Sequence, residues 1–560
     1  MSATKKIKVN GINRPLALLA MAGSVLLATA AQAAAPGITG PIFNLTAQPA
    51  YLNQPDGNQV YSWGYGCATA PAGFAPTMPG QACSTMQVPG PTLIVTEGQV
   101  VTVNLTNALP IAAGNTSILF PGFHATATGG VTGLLTQEAP LGTTVTYSFT
   151  ATSPGTRAYY SGTQGDLQVE MGLYGAIIVL PKAVPANCTT GVHAANLAAE
   201  THWGEHDFRL SQAAYDHPGT CYDREYLFQF AEVDPNIHKQ ALAQISDPKR
   251  IAACAAGAGA PGCSLEVPTE PYHPAYYLIN GRSMPDDMDP NFDSVYPHQP
   301  YNGNPHMHPG ELTLIRVIGQ GRWEHPFHEH ANHVRILARD GNLILSNSTI
   351  TYAGTTTPAP ALAGMLMFTT DTFPGQAFDG IFYFTGKGLN WDMYGHNPGS
   401  TDSLATLPCT PDANGYNTGA PTAVNYYEWC QDHNKPLEAN PFGDVAAGGP
   451  TTLPSPNIFT NGAWYSGSPY LGPDATLRAD TSLRATGGYG GAPGCSGTTN
   501  ANCSSLQPSN TQANPANERG YAFMWHSHNE REITTNNVFP GGMFMMMLVD
   551  SREFAIDESL

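Results

Sequence analysis

Two dense clusters stand out among the 18 histidines of this 560-residue chain. One reads HPFHEHANH over residues 325–333, and the other reads WHSHNE over 525–530. In an extended strand, residues i and i+2 project to the same face. Each H-x-H therefore sets two imidazoles side by side, as a copper, zinc or iron site requires. His328, His330, His526 and His528 are accordingly the metal-ligand candidates. Four imidazoles suffice for one divalent ion, or for two with water completing the shell. The competing reading is a packed, hydrogen-bonded histidine cluster. Glu329, Glu530 and Glu532 lie close enough in sequence to support such ligands, although a solvated rim is the simpler reading of three glutamates. A further H-x-H, His306 and His308, falls on an expected loop and is set aside.

Positioning these imidazoles is a task for strands. Short β-branched runs occur at 92–98, 100–105, 143–149 and 174–180, each bounded by turn residues. Four strands within ninety residues suggest a Greek-key sandwich or barrel. A second series begins with 225–230 and 276–281, continues through 311–318, 334–337 and 378–384, and ends at 521–525 and 543–549. Both histidine clusters belong to this second series. Between about 386 and 517 the pattern dissolves into Gly, Pro, Asn, Thr and Ser, which reads as a structured insertion or lid.

Composition narrows the function classes. Only 12% of the residues are charged and the formal net charge is −19, so no basic surface for nucleic acid is expected. Lys5, Lys6, Lys8 and Arg14 precede an apolar run over 16–30 and an A-x-A at 31–33. This is the form of a secretory signal; no other run approaches the length of a membrane span. The ten cysteines fit an oxidising compartment, periplasmic or extracellular. No C-x₂-C spacing points to zinc. Sequential pairing is the simplest expectation: Cys67 with Cys83, Cys188 with Cys221, Cys254 with Cys263, Cys409 with Cys430, and Cys495 with Cys503.

The motifs carry a family resemblance. PGPTL over 89–93, Glu97-Gly98 and NLTNALP over 104–110 resemble the opening of the first domain of the multicopper oxidases. This cupredoxin-fold family includes laccases and is related to copper nitrite reductases. GLLTQ over 133–137 and GLYGAII over 172–178 are similar to that domain's middle and end. LINGR over 278–282, ARDG over 338–341 and PGQAFD over 374–379 repeat the pattern later in the chain. HPFHEH over 325–330 is close to the family's H-P-x-H-x-H, and His526-Ser527-His528 stands where the family has H-C-H. Gly542-Met543 resembles its closing Gly-Met. Through this resemblance His325 and Met543 match two ligands of the family's mononuclear blue-copper site and join the candidates.

The departures from the family are as informative. The family holds a three-copper cluster with four H-x-H pairs, two of them from its first domain. Here those two positions read Leu119-Phe120-Pro121 and Tyr160-Ser161-Gly162, which cannot hold such a cluster. At the mononuclear blue-copper site the cysteine is replaced by Ser527, and the later histidine position falls on Glu532. A serine hydroxyl supplies neither thiolate charge nor soft sulfur, and the electron route through that cysteine is missing. Met543, Met545 and Met547 alternate along one strand face, for which plain core packing is the favoured reading.

The resulting expectation is an all-β chain of tandem cupredoxin-like Greek-key β-sandwiches with a long loop-rich insertion. Its parts are a signal peptide at 1–33, a ligand-depleted first domain at 36–182 and a linker at 183–219. A second domain at 220–550 carries the histidine motifs and the insertion at 386–517. The function expected is an exported protein that binds copper, or another divalent metal, through the second-domain H-x-H pairs. It holds fewer ions than a complete multicopper oxidase and lacks laccase-type oxygen reduction. Two alternatives stay open: a copper-dependent oxidoreductase working from a reduced site on a small molecule or metal, and a non-catalytic surface scaffold. The residues set neither the substrate nor the oligomeric state.

Overall fold

The computed structural model describes residues 35–68, 74–75, 83–205, 207, 209–387, 408–433, 467–471, 520–550, 552 and 556. The expected signal segment, Cys495, Cys503 and most of the expected insertion lie outside these residues.

Alternating apolar residues build two five-stranded sheets in the first part of the chain. One has the order Gly155–Tyr160, Tyr174–Leu180, Gly90–Thr96, Gly37–Thr39, Phe74–Ala75. The other runs Gln59–Cys67, Ile42–Asn53, Val100–Asn107, Thr144–Thr150, Thr126–Thr128. Strand Val100–Asn107 shows the half-buried pattern in full, with Val101, Val103 and Leu105 inside and Thr102 and Asn104 less covered. Trp63, Tyr65, Leu93, Tyr147 and Ile177 join them in one core. Order is not consecutive within either sheet, as crossed connections between two packed sheets require.

Two further sheets follow. The seven-stranded one places Arg224–Val233, Leu312–Gly319, Ala377–Tyr383 and Val334–Arg339 side by side. The six-stranded one has the order His306–Met307, Phe544–Asp550, Gly520–Ser527, His325–Glu329, Thr369–Thr372, with Gly467–Leu471 also paired to Gly520–Ser527. Phe228, Phe230, Val317 and Phe382 of the first meet Phe327, Trp525, Met545 and Met547 of the second in a common core. The fold is thus all-β and cupredoxin-like, with tandem sandwiches. Ala158, Ala176 and Ile178 of the earlier pair of sheets pack on Leu227, Ile318 and Ala377 of the later pair.

Two stretches differ from the sequence reading. Residues 183–219, expected as a linker, contain helix Val192–His202 and the buried Arg209 and Glu205. Helices Pro235–Ile245 and Pro248–Cys254 fall within the expected second domain, yet Ile237, Ala241 and Cys254 are buried in the first core. Both helices start at an Asp-Pro pair. The Asp234 and Asp247 carboxylates accept from the N–H groups of Asn236 and Lys249, and proline occupies the first turn, where no N–H is needed.

Disulfides Cys67–Cys83, Cys188–Cys221, Cys254–Cys263 and Cys409–Cys430 form as sequential pairing requires. Among the described residues no cysteine is free. Titration with a thiol reagent under denaturing, non-reducing conditions is expected to find fewer than two reactive thiols per chain. Two or more would contradict the fully bridged protein. Among the described residues, no helix is long and apolar enough to cross a membrane.

Candidate metal centre

The strands His325–Glu329 and Gly520–Ser527 are antiparallel neighbours, with His328 opposite His526, Phe327 opposite Ser527 and Glu329 opposite Trp525. Alternation along a strand then divides the candidate ligands between two faces. His325, Phe327 and Glu329, with Trp525, Ser527 and Met543, lie on the fully buried face. His328, His330, His526 and His528 lie on the other. The six candidates therefore do not form one site.

On the outer face the imidazoles converge. One ligand nitrogen each from His328, His330 and His526 lies within 4.8 Å of the others. His328 and His330 have ring centroids 4.8 Å apart, and His328 and His526 5.4 Å. His526 Nε2 stands 3.3 Å from His330 Nε2. Two nitrogens bound to one tetrahedral ion at about 2.0–2.1 Å stand about 3.3 Å apart, so this pair has a spacing that a shared ion would fit, as would a hydrogen bond between the rings. The tautomers leave lone pairs available. His526 Nδ1 donates to the Ser527 carbonyl at 2.7 Å, which leaves Nε2 as the lone-pair nitrogen. His328 Nδ1 meets Thr369 Oγ1 at 2.6 Å, leaving its Nε2 for the site. His528 is exposed at the rim, its ring 4.8 Å from that of His328. The structure thus gathers three of the four and holds the fourth beside them.

Burial, followed by the proximity of His330, His526 and His528, lowers the His328 pKa to about 3. Burial also lowers that of His526, with His528 adding to the effect. Both rings are neutral near pH 7, the state a metal needs.

His325, on the buried face, is held between two carboxylates. Its Nε2 lies 2.9 Å from Glu232 Oε2 and its Nδ1 2.9 Å from Glu532 Oε2. Burial alone would depress this histidine, but its hydrogen bonds to the two carboxylates, and then their charges, raise it to about 9. In its protonated form the ring donates through both nitrogens, one to each carboxylate. Ser527 Oγ donates to the same Glu532 oxygen at 2.6 Å, and Asn529 Nδ2 to the other at 2.9 Å. Where the family has a blue-copper centre, this chain has a buried Glu232–His325–Glu532–Ser527 ion network. Met543 is buried opposite Ser527 in the aromatic core, on the same face as His325 and on the far side of the sheet from the converging imidazoles.

The solvated-rim reading holds for Glu530 alone, which is exposed. Glu532 serves His325. Glu329 is buried with neither carboxyl oxygen hydrogen-bonded, and desolvation holds its pKa well above the usual carboxylate range. His308 is buried against Glu205 at 2.6 Å and lies outside the imidazole group. Cys409, Glu428 and His433 also cluster, but Cys409 is spent in its disulfide. Sequence reasoning missed Glu232 and Thr369. Glu232 sits 93 positions before His325, inside a wholly buried strand, and only an unexpected charge in an apolar run marks it.

In the first sandwich, Leu119 bridges to Tyr160, as His328 pairs with His526 in the second. These are the two places where the resemblance puts the missing first-domain ligands. Residues 81–184, which span both, match the family model of the multicopper oxidases. This segment is a multicopper oxidase domain. Copper is the cofactor that the family implies. Solved structures with likeness to the chain include the multicopper oxidase mgLAC, at 14% identity over 91% of this chain and 85% of that one, TM-score 0.40. The blue copper oxidase of Nitrosomonas europaea matches at 14% identity over 90% and 85%, TM-score 0.40. The copper nitrite reductase of Nitrosomonas europaea matches at 19% identity over 63% and 86%, TM-score 0.36. At such values nothing about the site is transferred from them. Among curated proteins no sequence match is found.

The matched residues include Leu119-Phe120-Pro121 and Tyr160-Ser161-Gly162, where the resemblance expects ligands and the sequence offers none. Intense blue colour requires a copper–thiolate bond, and Ser527 cannot supply one. The copper-loaded protein is expected to be pale, with nitrogen and oxygen ligation by electron paramagnetic resonance. A strong blue band would contradict this assignment.

Proposed function

We propose that this chain is an exported, multicopper-oxidase-like protein that binds copper through the H-x-H pairs of its second sandwich and does not carry out laccase-type oxygen reduction. The observation that carries the reading is the convergence of His328, His330 and His526, with His330 and His526 nitrogens 3.3 Å apart. His328, His330 and His526 would hold the ion, with His528 adjacent to complete its shell. Copper so held supplies Lewis acidity and a one-electron couple. The chain's own residues fix which ring nitrogen faces the ion, through Thr369 and the Ser527 carbonyl, and keep His328 and His526 uncharged. Leu119-Phe120-Pro121 and Tyr160-Ser161-Gly162 offer no ligands for further coppers, and His325 is committed to carboxylates. Export is supported by the basic-then-apolar N-terminus and by the four disulfides. The domain division proposed is 36–182 and 220–550, with 183–219 between them and helices of 235–254 packed back on the first sandwich.

Acid dependence tests the reading. An imidazole at its unperturbed pKa of about 6.5 loses about 30-fold in metal affinity between pH 7 and pH 5 by proton competition. His328, lowered to about 3, imposes none of that loss, and His526 is lowered as well. Copper affinity measured by competition with a chelator is expected to fall by well under the ~10⁶-fold that four ordinary imidazoles would impose. A fall of that size would contradict the neutral ligand pair. The same preparation, assayed on a phenolic substrate with oxygen, is expected to turn over no faster than free copper. Enzyme-dependent turnover that tracks copper content would favour the working oxidoreductase instead.

A further inference from the structure

A cavity of about 610 Å³ lies against the second face of the seven-stranded sheet, away from the imidazole group. Leu312, Leu337 and Ile381, from three adjacent strands, line it as part of a separate apolar cluster. Tyr352, Tyr383, Tyr416 and Tyr427 supply aromatic walls, the last two from the segment 408–433. Arg335, Asp412 and Asp223 also line it, and Asp223 is engaged by His193 and Arg209, so the cavity does not select a ligand of one charge sign. Its volume suits a small organic molecule of a few rings, within the range of about 300–1,000 Å³ for such sites.

One polar group is set for recognition. His193, at the start of helix Val192–His202, lines the cavity and is 8% exposed. Its Nδ1 lies 2.8 Å from Asp223 Oδ1. Asp223 is itself fixed, because its other oxygen accepts from Asn196 Nδ2 at 2.9 Å and from the Leu312 N–H at 2.8 Å. In the neutral ring a proton on Nδ1 leaves Nε2 as an acceptor. Among the described residues Nε2 has no hydrogen-bond partner. Such a group in an apolar, aromatic cavity gains most from a ligand that meets it. A hydroxyl serves either protonation state of the ring, since it both donates and accepts.

We propose that this cavity is a second ligand site, independent of the metal, for an uncharged hydroxylated polycycle. The rings lie among the tyrosines and the aliphatic floor, and the hydroxyl bonds His193 Nε2. The test is calorimetric titration of the copper-loaded full chain with 2-naphthol and with naphthalene. Wild type is expected to bind 2-naphthol about tenfold or more tighter than naphthalene. His193→Phe is expected to bind the two within about twofold of each other. Ala353→Trp, a substitution at the exposed rim of the cavity, is expected to weaken both by about tenfold or more while copper content stays unchanged. Absence of binding, equal binding of the two probes by wild type, a preference that survives His193→Phe, or indifference to Ala353→Trp would overturn the proposal. Because Ala353→Trp leaves the core untouched, it decides the matter even where His193→Phe folds poorly. Copper content is read separately, so failure of the metal reading does not imitate failure here.

Discussion

Replacing His325 with alanine is expected to destabilise the protein by about 3–5 kcal/mol, the usual cost of removing one partner of a buried ion pair. The size of the effect follows from what the substitution leaves behind. Glu232 and Glu532 are both buried, both aimed at the vacated space, and both deprived of their shared cation. Glu232 keeps hydrogen bonds from the Arg322 and Trp323 N–H groups and from the Tyr272 hydroxyl. Glu532 keeps those from Ser527 and Asn529. These bonds moderate the loss without replacing the charge. The pH dependence has a definite sign. The His325 pKa is about 9 in the folded protein, against about 6.5 when unfolded, so the folded state binds the extra proton between those values. The stabilisation is complete below about pH 6.5 and disappears as the pH rises through about 9. Denaturant midpoints measured from pH 6 to pH 10 are expected to fall in wild type over that window and to stay level there in His325→Ala. Equal slopes in the two proteins would contradict the ion network.

Much of this arrangement was legible in the sequence. The β-branched runs at 174–180 and 311–318 became strands Tyr174–Leu180 and Leu312–Gly319, because period-2 patterning reports directly on a packed sheet. The H-x-H spacing placed His328 beside His330 on one face for the same reason. Strands Ile42–Asn53 and Gln59–Cys67 escaped notice because Pro49, Gly64 and Gly66 blur their pattern. Gly64 is required there, since a Cβ would stand 2.3 Å from the Gln87 carbonyl oxygen. Strand parity agrees with the resemblance, which assigned His325 and His328 to different centres: three positions apart, they face opposite sides. The partner Glu232 was beyond reach because tertiary pairing across 93 residues leaves no local periodicity. Helices of 235–254 joined the first core for a similar reason, as chain order alone does not say which sandwich a segment covers.

Copper binding by the His328–His330–His526 group is the centre of the account, and substitution of facing ligands tests it most directly. His328 and His526 are paired across the two strands, and their main-chain register does not depend on the imidazoles. His328→Ala combined with His526→Ala removes one ligand from each strand and leaves the His325 network on the opposite face intact. Even an outer partner of a ligand is worth about 10–100-fold in metal affinity, so losing two ligands is expected to cost more than about 100-fold. The measurement is copper per chain after chelator stripping, reloading and exhaustive dialysis, with wild type and the double variant side by side. Stoichiometric copper is expected in wild type, none above background in the double variant, and unchanged circular dichroism in both. Equal copper retention by the two proteins, or none by wild type, would contradict it and leave the cupredoxin-like sandwiches as a scaffold.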